Sequence, residues 1–209
     1  MVTIALTKGR ILKEEVSLFK EVGIDISDVL KDDRKLLFVF PEQNVNIMLL
    51  KPFDVPVYVE KGAADLGVVG RDVILEEKRD IFSILDLGIG CCRISVAKPK
   101  KIKETADAKL IVGTKFPEIT RSFYESKGMN VDIVKLYGSI ELAPLTGITD
   151  CIVDIVSSGE TLRKNGLEEV EKICDISSYL IANRTSFKTK FKEIRQIIVG
   201  LKKARGNCL

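Results

Sequence analysis

The sequence predicts an α/β fold made of two small lobes. Short continuous apolar segments alternate with segments of helical periodicity along the 209 residues, which is typical of mostly parallel sheets covered by helices. A glycine-rich extended segment near residues 86–98 indicates one crossing between lobes, and a second crossing is expected near residues 174–180. We therefore expect lobe I at residues 1–88 plus 176–209 and lobe II at residues 89–175. A cleft between two such lobes is a favoured place for a ligand.

The first half of the chain carries clear helix and strand signals. Strands are expected at residues 2–6, 36–40, 45–50 and 65–70, and helices at residues 9–22, 53–61 and 71–77. Leu12, Val16 and Phe19 have the i, i+3/i+4 spacing of a buried helix face, which Gly23 ends. Asp54 is expected to cap the second of these helices.

The second half repeats the alternation. An extended segment is expected at residues 84–98, further strands at 109–114, 131–136, 151–156, 172–176 and 178–182, and helices at 116–128 and 186–204. Lys and Arg gather in the last helix, and we interpret them as its solvated face, with a contact to a partner as the alternative.

Composition argues against several classes of partner. The chain has 33 basic and 30 acidic residues, a net charge of +3, which is too balanced for nucleic acid as a main partner. No apolar run approaches the ~18 residues of a membrane span, and the N-terminus has the pattern of a strand, not of an export signal. Five cysteines without CxxC spacing indicate reduced thiols. We expect a cytoplasmic protein.

The chain contains no histidine. This excludes a Ser-His-Asp triad, a Cys-His pair, an HExxH zinc site and any imidazole acid or base. Catalysis must therefore rest on carboxylates, cations, hydroxyls, backbone amides or a metal held by oxygen.

Residues 157–161, Ser-Ser-Gly-Glu-Thr, follow a predicted buried strand and precede a helix-forming segment. Backbone N–H groups and hydroxyls at such a point bind phosphate, and Gly159 lets the backbone approach a ligand closely. Asp154 lies inside the strand and needs a partner, for which ribose hydroxyls or a hydrated magnesium ion are suited. The alternative is that Ser158 or Thr161 only caps a helix and that Asp154 lies at a strand edge.

Basic residues follow two other predicted strands. Lys8 and Arg10 follow the first strand, and Lys115 follows the strand 109–114. The carboxyl ends of strands in open α/β sheets are where ligands bind, although solvated surface cations are the alternative. Glu141, among apolar neighbours, is either an ordinary helix acid or a further site residue.

Four segments, in this order, resemble the ATP phosphoribosyltransferase family: "ALTKGR", "KPFDVPVYVEKGAADLGVVGRDVI", "GTKFPEITRSFYESKG" and "GSIELAPLTGITDCIVDIVSSGETLRKNGL". The length points to the short form of that family. The spacing from Glu141 through Gly147 to residues 154–162 matches the family signature. Two positions depart from it: Thr149 replaces a smaller residue, and Lys51 stands where many members have an arginine, whose bidentate fork lysine lacks.

The resemblance implies a two-lobed fold of the type II periplasmic binding protein kind. It also implies a reaction in which N1 of ATP displaces pyrophosphate, with Mg²⁺, from phosphoribosyl pyrophosphate (PRPP), the first step of histidine biosynthesis. Lys8, Arg10 and Lys51 are the expected catalytic cations. The expected substrate-binding residues are Lys115, Glu141, Asp154, Ser157, Ser158, Gly159, Glu160, Thr161 and Leu162, with the 5′-phosphate of the ribosyl donor on residues 157–161.

The resemblance also implies partners. Short-form members work with a regulatory subunit resembling histidyl-tRNA synthetase in a hetero-octamer, and we expect a homodimer when the chain is alone. Two alternatives remain at this stage: a solute-binding module with the same fold, and a phosphoribosyltransferase with a different acceptor. The usual type I phosphoribosyltransferases have two adjacent acids before the phosphate loop, whereas here only Asp154 precedes it.

Overall fold

A computed structural model describes residues 1–32, 34–100 and 109–206. The chain divides into two compact units. Unit 1 comprises Met1–Gly90 and the described part of Ser177–Leu209, and unit 2 comprises Cys91–Ile176. These limits lie one or two residues from the expected lobe limits. Within the described ranges, no helix is long and apolar enough to cross a membrane.

Eleven strands and eight α-helices are present in the described ranges. The strands are β1 (Val2–Thr7), β2 (Leu37–Phe40), β3 (Val45–Leu50), β4 (Leu66–Gly70), β5 (Phe82–Asp86), β6 (Cys92–Pro99), β7 (Ile111–Thr114), β8 (Asp132–Lys135), β9 (Cys151–Val156), β10 (Leu167–Ile176) and β11 (Ser178–Ala182). The helices are α1 (Leu12–Glu21), α2 (Val55–Glu60), α3 (Arg71–Glu77), α4 (Pro117–Ser126), α5 (Leu142–Leu145), α6 (Glu160–Lys164), α7 (Arg184–Thr189) and α8 (Phe191–Gly206).

Unit 1 is built on a six-stranded sheet in the order β2-β3-β1-β4-β11-β5. Side chains of β1 alternate between the two faces of this sheet, as the two-residue period of a strand requires. Ile4 and Leu6 enter the cluster formed with α1 and α8, whereas Ala5 enters the cluster formed with α2 and α3. Helices on both faces therefore bury most residues of the central strands β1 and β4.

Unit 2 is built on a five-stranded sheet in the order β10-β6-β9-β7-β8. Its core cluster joins strand residues to the short helix α6 through Leu162, which is 6% exposed. The other buried members of this cluster are Ala97, Ile140, Ile152, Val156 and Leu167. The end of β9 and the start of α6 are thus fixed by the same apolar contacts.

The expectation of mostly parallel sheets is wrong. Parallel pairing is confined to β3-β1-β4 in unit 1 and β9-β7-β8 in unit 2, and the remaining pairs are antiparallel. A tight turn at residues 41–44 joins β2 to β3, and such a turn can connect only antiparallel neighbours. Continuous apolar strands show burial on both faces, but they do not report strand direction.

Three predicted elements differ in the structure. The helix predicted at 186–204 is two helices, α7 and α8, which are separated at Lys190. Asn183 caps α7, since its side chain accepts from Thr185 N and Ser186 N. The strand predicted at 172–176 is the end of the ten-residue β10. The extended segment predicted at 84–98 is divided between β5 and β6.

Two details near helix starts also differ. The first helix begins at Leu12, three residues later than expected. Asp54 does not cap α2 through its side chain, because it has helical backbone angles (φ −83°, ψ −27°) and belongs to a 3₁₀ turn, Pro52–Asp54, that runs into the helix. Cys91, Cys92, Cys151 and Cys174 form no disulfide within the described residues, and Cys208 lies outside them.

Candidate active site

In unit 2 the predicted site residues gather at one edge of the sheet. Strands β7 and β9 run parallel, with Thr114 paired to Val153. Lys115 follows the first strand and Ser157 follows the second, so both residues stand at carboxyl ends of parallel strands. This is the edge at which open α/β sheets bind ligands.

Residues 157–161, which we call the serine loop, turn sharply between β9 and α6. Gly159 has φ +70° and ψ 9°, in the left-handed region that glycine favours. A Cβ atom there would also lie 3.2 Å from Arg163 Nη1. Helix α6 has only five residues, so its dipole is small, and anion binding would depend on the loop's own amide and hydroxyl groups.

The side chains of the serine loop differ in accessibility. Ser157, Ser158 and Thr161 are exposed, and Ser158 Oγ accepts from Glu160 N at 3.3 Å. Glu160 forms an ion pair of 2.7 Å with Lys164. These groups lie at the surface of the unit, whereas the neighbouring Leu162 side chain is in the core. Leu162 therefore anchors α6, and only its backbone remains for a substrate contact.

Asp154 is a half-buried carboxyl inside β9. Burial raises its pKa to about 6, against the lowering effect of the hydrogen bond from Ile155 N at 2.8 Å. The negative charge of Glu141 raises the pKa further, and the positive charge of Lys115 lowers it. The structure thus brings three predicted site residues within electrostatic range of one another.

In unit 1 the predicted cations also follow neighbouring parallel strands. Thr7 pairs with Leu50, and Lys8 N donates to Leu50 O at 2.8 Å. Lys8 and Lys51 therefore follow adjacent strand ends, and Arg10 lies just before α1. All three cations are exposed. We call residues 7–10 the cation loop.

Two further unit 1 residues near this edge, Arg71 and Glu15, were not among the predicted site residues. Arg71 is exposed and follows β4, which pairs in parallel with β1. A basic residue directly after a predicted strand was the sequence signal that could have identified it. Glu15 is fully buried: its Oε1 accepts from Thr7 N at 3.4 Å and its Oε2 has no hydrogen-bond partner. Burial raises its pKa well above the usual range. The sequence signal that could have identified Glu15 was an acidic residue beside Val16 on the apolar face of α1.

The carboxylates of unit 2 suit a hard cation, although no group of three or more His, Cys, Asp or Glu in the described ranges could hold a metal by itself. Magnesium usually binds one or two carboxylates and completes its shell with substrate phosphates and water. Asp154 and Glu141 supply oxygen ligands of that kind. They fit a magnesium ion that arrives with a polyphosphate substrate.

Comparison with known proteins decides the family. The family model described as HisG, ATP phosphoribosyltransferase, matches residues 51–203. The chain belongs to the ATP phosphoribosyltransferase family. An ATP phosphoribosyltransferase from Citrifermentans bemidjiense is 48% identical over 96% of each chain, and one from Caldanaerobacter subterraneus subsp. tengcongensis is 49% identical over 97% of this chain and 96% of its own.

A solved structure extends the comparison to the fold. The ATP phosphoribosyl transferase (HisG:HisZ) complex from Thermotoga maritima contains a chain 30% identical to this one, with a TM-score of 0.84 over 99% of this chain and 100% of that one. The predicted type II periplasmic-binding-protein fold is confirmed. As an ATP phosphoribosyltransferase, the chain is a pentosyltransferase that catalyses the first step of histidine biosynthesis.

Proposed function

We propose that the serine loop holds the 5′-phosphate of PRPP while its phosphoribosyl group is transferred to N1 of ATP. The observation that supports this most is the left-handed Gly159 in a loop whose hydroxyls are exposed at the carboxyl end of β9. Such a loop presents N–H and O–H donors to an anion without a fixed counter-charge. Membership of the ATP phosphoribosyltransferase family supplies the phosphate-bearing substrate.

Asp154 is proposed to contact the ribose hydroxyls. Its half-buried carboxyl would accept hydrogen bonds from a diol, which replace the water that burial removes. Glu141, whose charge reaches Asp154, is assigned to the same substrate region. Asp154 and Glu141 would hold a magnesium ion that binds together with the donor, and such an ion would supply positive charge to the pyrophosphate.

The cations are proposed to stabilise the leaving group. The N1 lone pair of adenine forms a bond to C1 of the ribose, the bond from C1 to the pyrophosphate oxygen breaks, and its electron pair leaves with pyrophosphate. Lys8, Arg10 and Lys51 are assigned to neutralise the polyphosphates in unit 1, and Lys115 has this role in unit 2. Since N1 already carries a lone pair, no general base is required, which agrees with a chain without histidine.

A regulatory partner is proposed on the strength of the solved neighbour, which is a complex of two kinds of subunit. We infer that this chain works with a similar partner, resembling histidyl-tRNA synthetase, in a hetero-octamer, and forms a homodimer when alone. Histidine inhibition would then require the complex. Because both substrates are metabolites of the cell interior, we place the enzyme in the cytoplasm.

The test is a spectrophotometric assay of the purified full chain. ATP, PRPP and Mg²⁺ together should give the absorbance of the phosphoribosylated nucleotide, and omission of any one should give none. GTP and free adenine serve as alternative acceptors. A faster reaction with either of them, or no reaction with ATP in the presence and absence of the regulatory subunit, would overturn the proposal.

A further inference from the structure

Two guanidinium groups hold the backbone carbonyls of the serine loop. Arg93 Nη1 donates to Ser157 O at 3.0 Å, and Arg163 Nη1 donates to Ser158 O at 3.0 Å. We infer that Arg93, itself held by Glu169, is a positioning residue that fixes the serine loop for the donor phosphate. This inference rests on the function proposed for that loop.

Arg93 is held by two hydrogen bonds to one carboxylate, that of Glu169. Its Nε donates to Glu169 Oε1 at 2.6 Å and its Nη2 donates to Glu169 Oε2 at 2.5 Å. The fully buried Ser95 donates to the same Glu169 Oε1 at 2.7 Å. A planar guanidinium bonded at two nitrogens to one carboxylate has a defined orientation, so the direction of its remaining Nη1 is also defined.

The sheet of unit 2 explains why these residues meet. Strand β6 lies between β9 and β10, and Arg93 pairs with Val156, the last residue of β9. Its side chain therefore reaches the first carbonyl beyond the strand. On the other side, the register of β10 shifts between Glu169 and Glu171. Such bulges re-aim side chains, and here the carboxylate of Glu169 meets Arg93.

Because the peptide bond is planar, a hydrogen bond that fixes a carbonyl group also fixes the direction of the next residue's N–H group. In a trans peptide the C=O of one residue and the N–H of the next point in opposite directions. When Ser157 O and Ser158 O are bonded to guanidinium groups, the N–H groups of Ser158 and Gly159 point away from those groups. The loop therefore offers amide hydrogens, not carbonyl oxygens, on the side left for an anion.

The proposed role of Arg93 is to orient the serine loop and not to attract the donor, because the carboxylate of Glu169 balances its charge. Its hydrogen bonds hold the pKa of Glu169 at about 2, so the carboxylate is ionised at neutral pH and the pair has no net charge. A lysine at position 93 would keep the charge, but its single nitrogen lacks the planar fork with which three separate nitrogens of Arg93 reach Glu169 and Ser157. This separates a positioning role from simple attraction of the donor.

The test compares four variants of the full chain: Arg93→Gln, Arg93→Lys, Glu169→Gln and, as matched control, Glu171→Gln. Glu171 lies on the same strand and pairs with Lys127 at the surface. The first three should raise the dissociation constant for PRPP, measured by calorimetric titration, by about tenfold to a hundredfold. The KM for ATP should stay near its wild-type value in these three variants. The control Glu171→Gln should bind PRPP with the wild-type dissociation constant.

Two outcomes in the Arg93 variants would overturn the inference. Full donor affinity in Arg93→Lys would show that charge, not position, matters. A lower midpoint of thermal unfolding with unchanged PRPP affinity in Arg93→Gln would show a purely structural role. Thr161→Ala removes a loop hydroxyl that Arg93 does not contact, and it separates the two proposals. Normal PRPP binding in this variant would contradict the proposed phosphate-binding function of the loop. Weakened PRPP binding in Thr161→Ala together with normal binding in Arg93→Gln would contradict only the positioning role of Arg93.

Discussion

The cation loop and the serine loop occupy equivalent places and are built differently. Each follows a central strand, β1 or β9, that has a parallel neighbour, and each is followed by a helix. The cation loop carries Lys8 and Arg10 on exposed side chains, whereas the serine loop carries hydroxyls, a left-handed glycine and carbonyls held by Arg93 and Arg163. The first loop offers charge and the second offers directed hydrogen bonds, which are separable contributions to phosphate binding.

Each loop also has a carboxyl nearby with a raised pKa, and these two acids differ in access. Glu15 is fully buried beside Thr7, whereas Asp154 is half-buried and faces other predicted site residues. Only Asp154 can exchange its lost water for a substrate hydroxyl without opening the core. We therefore assign Glu15 to the structure of the cation loop and Asp154 to substrate binding.

The largest expected effect is on the serine loop. Gly159→Val should abolish PRPP binding, because the side chain would meet Arg163 and displace the loop amides. Gly166→Val is the matched control, since Gly166 has φ +71° with open space around its Cβ position. It should share the backbone strain but keep donor affinity. Titration of PRPP and thermal unfolding separate the two effects, and normal binding in Gly159→Val would contradict the proposed geometry.

Lys8→Ala tests the charge half of the comparison. We expect turnover to fall about 10²–10³-fold, the usual loss when one stabilising group is removed from a transition state. The dissociation constants of PRPP and ATP should change less than turnover. Lys13→Ala, an exposed lysine on α1, should behave as wild type. Equal losses in binding and turnover for Lys8→Ala would indicate simple ground-state attraction.

Thr161→Ala tests a single hydroxyl of the serine loop. The variant should bind PRPP more weakly by ~1–3 kcal/mol, the range for a lost hydrogen bond to a charged partner. Thr146→Ala, at another exposed threonine of unit 2, should bind normally. Because a hydroxyl carries no net charge, the loss in Thr161→Ala should depend on salt much less than the loss in Lys8→Ala. A dissociation constant unchanged by the substitution counts against the assignment.

The last prediction concerns the stability of the fold and not substrate binding. The pKa of Asp154 is about 6 in the folded chain against a reference value of 3.8, so the folded state binds the proton more tightly than the unfolded state. Stability then falls as pH rises through this interval and stays lower above it. Asp154→Asn should raise the free energy of unfolding at pH 8 by about 1–3 kcal/mol, and the gain should vanish at about pH 3, where the carboxyl is protonated in both states. Urea unfolding at both pH values measures this, and equal effects would contradict the raised pKa.

Much of this architecture could be predicted from local sequence. Strand β9 was predicted with its observed bounds, because Cys151–Val156 is an apolar run that ends at two serines and a glycine. The family resemblance, now confirmed, rested on four segments, one of which contains this strand. The break before α8 was not predicted, since it accompanies a tertiary ion pair of 2.7 Å between Lys190 and Asp65. Arg93 was missed for the same reason, because its partner Glu169 is 76 residues away in sequence.

The position of β11 has a consequence for how the chain is made. This strand lies between β4 and β5 in the sheet of unit 1, although both of its neighbours are translated some hundred positions earlier. During synthesis on the ribosome, all of unit 2, Cys91–Ile176, emerges before β11 does. The sheet of unit 1 is therefore incomplete, with β4 unpaired on one side, when all strands of unit 2 have already been made. We expect unit 2 to become protease-resistant first during synthesis, and nascent chains stalled before residue 178 to depend on chaperones.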